Sequence, residues 1–548
     1  MKIPFQSTVF HLGLLSVCTV MSANLHFQKL DAVVRSEMQD YGIGGIAVAL
    51  TDGQQLVYAA GYGEAHRDSV FRAGSVSKLF NAIAVMQLVE MGKLDLDVAF
   101  ARLPGAVLPA NPFLETSDIT LRQLLSHRSG LQREAPVGGY FDDSQPTLAA
   151  TCASVRGCAV VTPPNAKTRY SNIGPSLAGQ VVATVSGELF EKFQQQHILA
   201  PLGMTHSAWL LRDVPEGKVL TSHLRVADGK GGFTHETTPL FDLGTLPAGN
   251  LYTTAPDLAQ FIMMLDAGGK GPDGPVLKAE SLQQMTEPQL DPKGGFGLGF
   301  ALGKFRTHAT IGHNGSVYGH STALLYLPDS GLGVVVLGNE DIVSACMSRI
   351  ANTALDVLLE VKTGEKPPSL AEYAVQEREL AECLGNWESR SFWAELKMQE
   401  SRLVGNFASQ PCTLTPTAKD AFLLNSRIHD QVPVTFLRKD AGRIISFTAG
   451  TQKFTRVADQ PTKIPDEWRR FLGSYGPRYI PLVVHEKFGR LYVTTENMVD
   501  YHLAPLNRNV FSLPPGMYDD EHAVFLTDKD GLVHSVNFAN MILPRLHP

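Results

Sequence analysis

A serine followed three positions later by a lysine, Ser75-Val76-Ser77-Lys78, is the first place in this chain where residue types and spacing combine into chemistry. A helical pattern starts at Ser75 and runs to about Met91, with Val76, Leu79, Phe80, Ile83, Met86 and Leu88 on its apolar side. At the start of a helix, positions three apart share a face, so the Lys78 amine can approach the Ser75 hydroxyl from the next turn. The Ser75 N–H is also one of the helix's unsatisfied donors, available to a developing oxyanion. Serine alone is a poor nucleophile at neutral pH. A lysine desolvated in a pocket loses its preference for the charged form and can take the hydroxyl proton. Ser-x-x-Lys recurs easily, and an N-cap serine beside a surface lysine is its ordinary structural meaning. The motif has weight only with partners.

Two partners follow. Tyr170-Ser171-Asn172 stands in a loop before a helical run at Gly174; there a tyrosine hydroxyl relays a proton while the asparagine amide holds the substrate carbonyl or Lys78. His313-Asn314-Gly315 stands at the end of a strand, before Ser316. Gly315 lets substrate approach the backbone, the Ser316 N–H completes an oxyanion hole, and His313 supplies a donor on the opposite wall. Taken singly, Tyr-x-Asn is turn chemistry and His313 a satisfied loop histidine. Three further matches fail on context. Lys362-Thr363-Gly364 follows a helix and precedes prolines, so it reads as a helix end. Gly319-His320-Ser321-Thr322-Ala323 lacks the last glycine of a nucleophile elbow and leads into a strand. His235-Glu236 has Pro239 where a zinc-protease helix needs its second histidine. Neither a metal nor another cofactor is expected.

Ser75/Lys78, Tyr170/Asn172 and His313/Gly315, in this order, resemble the serine β-lactamase and penicillin-binding-protein superfamily, in which Ser-x-x-Lys, Tyr-x-Asn and Lys-Thr-Gly or His-x-Gly line one cleft. The likeness covers about Phe27 to Val361. Phe71-Arg72-Ala73-Gly74, the segment Leu121 to Leu131, and Pro247 to Thr254 are similar to the family's scaffold. Within them Ser126 and His127 are expected to end a helix rather than do chemistry. The His-x-Gly form is closer to D-aminopeptidases, some DD-peptidases and related esterases than to β-lactamases. D-aminopeptidases also carry two β-barrels after the catalytic domain, which matches the arrangement here.

The positioning elements follow from periodicity. Residues from about Phe27 to Tyr41 have helical spacing, and Gly45 to Leu50 and Leu56 to Tyr58 flank Asp52-Gly53 as a hairpin. Thr120 to about Leu265 reads as helices and loops. Strands return at Phe296–Leu302, Ala309–Ile311, Ser321–Leu327 and Leu332–Leu337, before a helix from about Ile342 to Val361. This order implies an α/β (α+β) domain whose mostly antiparallel sheet is built from both ends around a helical insert. Beyond Glu365-Lys366-Pro367-Pro368-Ser369 the texture changes to short β-like runs. Leu384-Gly385, Arg390 and Arg402-Leu403 recur 88 residues later as Leu472-Gly473, Arg478 and Arg490-Leu491, and Trp387 is answered by Tyr475. Phe436-Leu437 with Gly442 likewise return as Phe525-Leu526 with Gly531. This points to a duplicated small antiparallel barrel. The expected domains are a leader (1–23), a catalytic domain (24–364), a linker (365–376) and barrels at 377–460 and 461–548. The catalytic segment is expected to fold alone, and the tail to shape access to Ser75 through loops such as Asn507-Arg508-Asn509 and Pro514-Pro515-Gly516.

Composition excludes some functions. A hydrophobic fraction of 44% and a charged fraction of 18% suit a folded globular chain. The net charge of −7, without a Lys/Arg cluster, argues against nucleic acid or an anionic membrane as partner. Lys2, the apolar Val9–Met21 and the small Ser22 and Ala23 read as an export signal, with an N-terminal helix or membrane anchor as the alternative; the protein is expected in the periplasm or medium. There, Cys152 with Cys158 and Cys383 with Cys412 are close enough in sequence to bridge, the alternative being reduced, buried thiols. The expected activity is hydrolysis of small peptide-like amides through an acyl-enzyme at Ser75. The rivals are a carboxylesterase or β-lactamase on the same scaffold, or a weakly catalytic binder of peptidoglycan fragments.

Overall fold

Strict alternation makes Gly45–Asp52 (β1) a central strand: Ile46, Val48 and Leu50 enter one apolar core with Leu30 and Val34 of the helix over residues 27–41 (α1), while Ala47 and Ala49 enter the core on the opposite face. The computed structural model describes residues 27–113, 118–227, 232–289, 295–368, 373–439, 442–457 and 463–546. The leader, residues 1–23, lies outside the described residues. Strand β1 turns at Asp52-Gly53 into Gln55–Gly63 (β2) and pairs on its other side with a strand from the far end of the domain, Leu332–Gly338 (β7). Between them in sequence come helices Ser77–Glu90 (α2) and Ile173–Ser186 (α3), then Gly295–Phe296 (β3), Ala301–Phe305 (β4), His308–Val317 (β5) and His320–Leu327 (β6). The seven-stranded sheet has the order β2-β1-β7-β6-β5-β4-β3 with every pairing antiparallel. Helix α1 and the helix Ser344–Thr363 (α4) cover one face, and the helical insert covers the other.

Two elements differ from expectation. Every residue of α2 from Ser77 to Leu88 is buried, so the helix has no polar face. It runs between the sheet and the insert, and its polar groups are bonded internally: Asn81 Nδ2 donates to the Pro175 carbonyl, and Gln87 Nε2 to the His197 and Val276 carbonyls, each at 2.9 Å. The strand expected over Phe296–Leu302 is interrupted. Gly299 adopts φ +82° and its N–H bonds the Leu125 carbonyl, while the Leu298 N–H bonds that of Met285, which pulls Gly297–Phe300 out of the ladder.

The failed motifs are structural. Lys362 pairs with Asp52 in the last turn of α4, which Gly364 ends in the left-handed conformation. Ser321 Oγ is buried between the Glu340 carbonyl and the Val343 N–H. His235 lies in a strand and meets the Glu340 carboxylate. The disulfide expectation is corrected: Cys152, Cys158, Cys346, Cys383 and Cys412 are all free and buried. Cys152 Sγ faces the Ser176 carbonyl of α3 and Cys383 Sγ the carbonyl of Glu379 in its own helix, so each points away from its suggested partner.

The tail is duplicated in three dimensions. Eight strands from Gly385–Glu388 to Gln452–Arg456 form a closed barrel. The second repeat runs from Gly473–Tyr475 to Met541–Pro544 as a four-stranded and a five-stranded sheet. Its fourth strand is split at Leu503, and the Tyr475–Arg545 bridge joins its ends. The repeats share a closing device. Trp387 donates to the carbonyl four residues before it, as does the Tyr475 hydroxyl. Arg456 lies 4.3 Å from the Trp387 ring and bonds the Glu382 and Leu384 carbonyls; Arg545 lies 5.9 Å from the Tyr475 ring and bonds the Arg470 and Leu472 carbonyls. The tail is not a detached appendage. Phe141, Phe241, Leu243, Val317 and Tyr318 of the catalytic segment belong to the same apolar core as both barrels, so a catalytic segment standing alone would have to expose them.

Candidate active site

Ser75 lies in a short 3-10 turn, Gly74–Val76, that feeds directly into α2. The turn touches the edge of β5. A Cβ on Gly315 would sit 2.0 Å from the Ala73 carbonyl, and one on Gly74, itself at φ +54°, would sit 2.7 Å from the Ser316 nitrogen. Only glycine at both positions allows this backbone-on-backbone approach. Ser75 and Ser316 consequently line one narrow cleft with Glu134, Tyr140, Asn172, Thr245 and Ala248.

Inside the cleft Lys78 Nζ lies 3.0 Å from Ser75 Oγ and donates to the Ala248 carbonyl at 2.7 Å. The Tyr170 hydroxyl donates to the same Oγ at 2.8 Å. Burial, followed by the nearby Arg133 guanidinium, holds the Lys78 ammonium well below the usual lysine range. Burial raises the Tyr170 phenol to about 12. The serine therefore sits between an amine whose charged form is disfavoured and a phenol that keeps its proton.

His313 is buried near Tyr170, with ring centroids 6.1 Å apart, and burial lowers its imidazole to about 4. Its Nδ1 faces the Asn314 carbonyl, so in the neutral ring Nε2 carries a lone pair rather than a proton. The donor expected from His313 is thus corrected to an acceptor. The Asn172 amide donates to Glu134 Oε1 at 2.6 Å and leaves its own Oδ1 buried without a partner, so the amide is committed to Glu134 rather than to Lys78. His127 follows the helix Leu121–Leu125, capped by Ser126, as expected. It also stacks on Tyr170 at 4.2 Å and accepts the Ser171 N–H through Nδ1, which steadies the phenol.

Arg133 and Glu134 carried no signal in the sequence, because an adjacent Arg-Glu pair reads as solvated surface. In the structure Glu134 is buried and Arg133 half-buried. The Arg133 guanidinium lies between the Tyr170 ring, at 5.2 Å, and the Tyr518 ring of the second barrel, at 5.9 Å. Burial, opposed by Arg133 and reinforced by Glu496, raises the Glu134 carboxyl to about 7. Tyr518 donates to Glu496, and Glu521 accepts from the Arg133 N–H, Gln132 and Arg169. The Tyr170 segment is thereby clamped by the loop that begins at Pro514-Pro515-Gly516. Among the described residues no group of three His, Cys, Asp or Glu is arranged to hold a metal ion.

The family model described as Beta-lactamase matches residues 30–352, more than half of the chain. The chain belongs to the beta-lactamase family. That family comprises serine acyl hydrolases, and its match ends before the barrels begin. Penicillin-binding protein 4 of Amycolatopsis lactamdurans is 30% identical over 369 residues, covering 63% of this chain and 93% of that protein. Unguisins hydrolase ungD' of Aspergillus campestris is 26% identical, covering 66% of this chain and 70% of that protein. Among solved structures, the octameric penicillin-binding protein homologue from Pyrococcus abyssi superposes with a TM-score of 0.56 at 23% identity, over 78% of this chain and 100% of that one. The D-amino acid amidase of Ochrobactrum anthropi SV3 superposes with a TM-score of 0.50 at 22% identity, over 61% and 100%. These superpositions establish a shared fold.

Proposed function

We propose that the protein hydrolyses small peptide-like amides bearing a free amino group, through an acyl-enzyme at Ser75. The observation that carries this reading is the convergence of Lys78 Nζ and the Tyr170 hydroxyl on one serine oxygen. Neutral Lys78 takes the Ser75 proton as Oγ bonds the substrate carbonyl carbon, and the Ser75 and Ser316 N–H groups hold the oxyanion. Tyr170 passes a proton to the leaving amine as the C–N bond breaks, and is reprotonated from Lys78. Water then adds to the ester under the same base, and its C–O bond to Ser75 breaks to release the acid. Asn172 and His313 orient the substrate.

The charge inventory supports an amine-bearing substrate. Two buried carboxyls, Glu134 and Glu496, face a single guanidinium, Arg133, and burial disfavours the charged form of Lys78. A substrate ammonium would balance the surplus carboxylate, which otherwise holds a proton. The esterase rival uses the same serine without that preference.

The test is a panel of D- and L-aminoacyl amides, DD-dipeptides, short esters and a chromogenic β-lactam, run against wild type and Ser75→Ala. Aminoacyl amides should lead the panel, and Ser75→Ala should lower their kcat by about 10⁴-fold or more. Undiminished turnover by Ser75→Ala defeats the mechanism, and esters leading the panel select the esterase. Lys78→Ala should be nearly as damaging, whereas Lys362→Ala, a half-exposed surface pair, should stay near wild type. Activity should appear as pH rises through the depressed Lys78 value and persist on the alkaline side until Tyr170 ionises near 12.

A further inference from the structure

The wall that carries Ser316 is tied to the first barrel by a buried chain of bonds. Ser316 Oγ donates to Asp341 Oδ1 at 3.4 Å, and Ser321, the partner of Ser316 across the ladder, donates to the Glu340 carbonyl at 3.1 Å. Both bonds end on the turn that leaves β7. Arg427, in the loop between the fifth and sixth strands of the first barrel, grips that turn from behind. Its Nη2 donates to Glu340 Oε1 at 2.6 Å and to the Asp341 carbonyl at 2.9 Å, and its Nη1 donates to the Tyr41 carbonyl at 2.6 Å. Its own carbonyl accepts the Ala345 N–H in the first turn of α4. The guanidinium is 3% exposed and Glu340 1% exposed. The other basic side chains near these carboxyls are Arg225, 3.9 Å from Glu340, and the His235 ring, at 2.7 Å.

We infer that Arg427 is a positioning residue for acylation: it fixes the Glu340–Asp341 turn and, through it, the Ser316 N–H that faces the oxyanion. Without Arg427, two adjacent buried carboxyls lose their closest cation, and the turn behind the wall has to shift or take up a proton. A displacement of a fraction of an ångström in an oxyanion donor lowers the rate of the chemical step while leaving ground-state binding nearly alone. The first barrel is then part of the catalytic apparatus although none of its atoms touches substrate. The inference rests on the Ser75 acyl-enzyme reading.

The experiment compares wild type, Arg427→Met and Arg427→Lys in the full chain, with a small activated ester and active sites titrated by an activated phosphonate. The expected result is a kcat per titrated site at least tenfold lower in Arg427→Met, KM within about twofold, and an intermediate kcat in Arg427→Lys, which can reach Glu340 but not both carbonyls at once. A merely structural role would lower the melting temperature and the number of titratable sites but leave kcat per site unchanged. A kcat per site within twofold of wild type therefore overturns the inference. If Arg427→Met does not fold, Ser316→Ala cuts the same link from the catalytic side, with a threefold or larger loss of kcat expected and a wild-type value overturning the idea. Full activity in Ser75→Ala would instead defeat the acyl-enzyme reading on which all of this stands.

Discussion

The two barrels close in the same way and touch the cleft with the same loop, yet they reach opposite walls. In each, the connection between the fifth and sixth strands leaves the barrel toward the catalytic segment: residues 426–431 in the first, 513–521 in the second. The first places Arg427 behind Ser316. The second places Tyr518 and Glu521 against Arg133, Gln132 and Arg169, beside Tyr170. Duplication preserved the closing arginines, Arg456 and Arg545, and freed the loops to diverge. What a barrel does here is decided by a few residues in one connection, not by its strands.

The largest effect should come from removing both grips. A chain ending at Val361 exposes Phe141, Phe241, Leu243, Val317 and Tyr318. At about 1.5–3 kcal/mol for each fully buried side chain, that forfeits roughly 10 kcal/mol, the scale of a domain's whole net stability. Circular dichroism and gel filtration should find an aggregated product, and a soluble, titratable truncation would show that the barrels are accessories after all. Next comes the division of labour. Tyr518→Ala should lower the ratio of aminoacyl to N-acetylated substrate turnover by about tenfold, against the rate effect expected at Arg427; a common loss of rate in both variants would erase the distinction between the walls. The smallest effect tests the likeness. Arg456→Ala removes a ring contact and bonds to the Glu382 and Leu384 carbonyls, and Arg545→Ala a ring contact and bonds to the Arg470, Leu472 and Val533 carbonyls, so each should cost about 1–3 kcal/mol, read as similar falls in melting temperature. Unequal falls would mean that the closing device has lost its meaning in one copy.

These contacts also explain what was legible in the sequence. Ser75 and Lys78 share one helical turn, so spacing alone brings them together. Tyr170 and His313 became visible only through resemblance to a family. The sheet built from both ends followed from the order of apolar runs and helices along the chain, and the tail's duplication from its repeated offset. Arg427 and Tyr518 were invisible because their partners lie across the domain boundary, and Glu134 because it bonds Asn172 38 residues away; no local periodicity encodes either. The same blindness hid the apolar contacts that the catalytic segment shares with the barrels. Where local pattern did mislead, tertiary bonds had overridden it: Leu298 and Gly299 are drawn from the β ladder to the Met285 and Leu125 carbonyls, and Cys152 and Cys383 meet the Ser176 and Glu379 carbonyls rather than Cys158 and Cys412.

Glu521 bonds Gln132 across 389 residues of chain. At about 5–20 residues per second of synthesis, some 20–80 s separate the appearance of the two partners. The Tyr170 segment cannot be clamped until Glu521 has been made. A nascent chain carries Ser75 and Lys78 early, but the bonds that hold the Tyr170 wall form only once the second barrel's loop has followed.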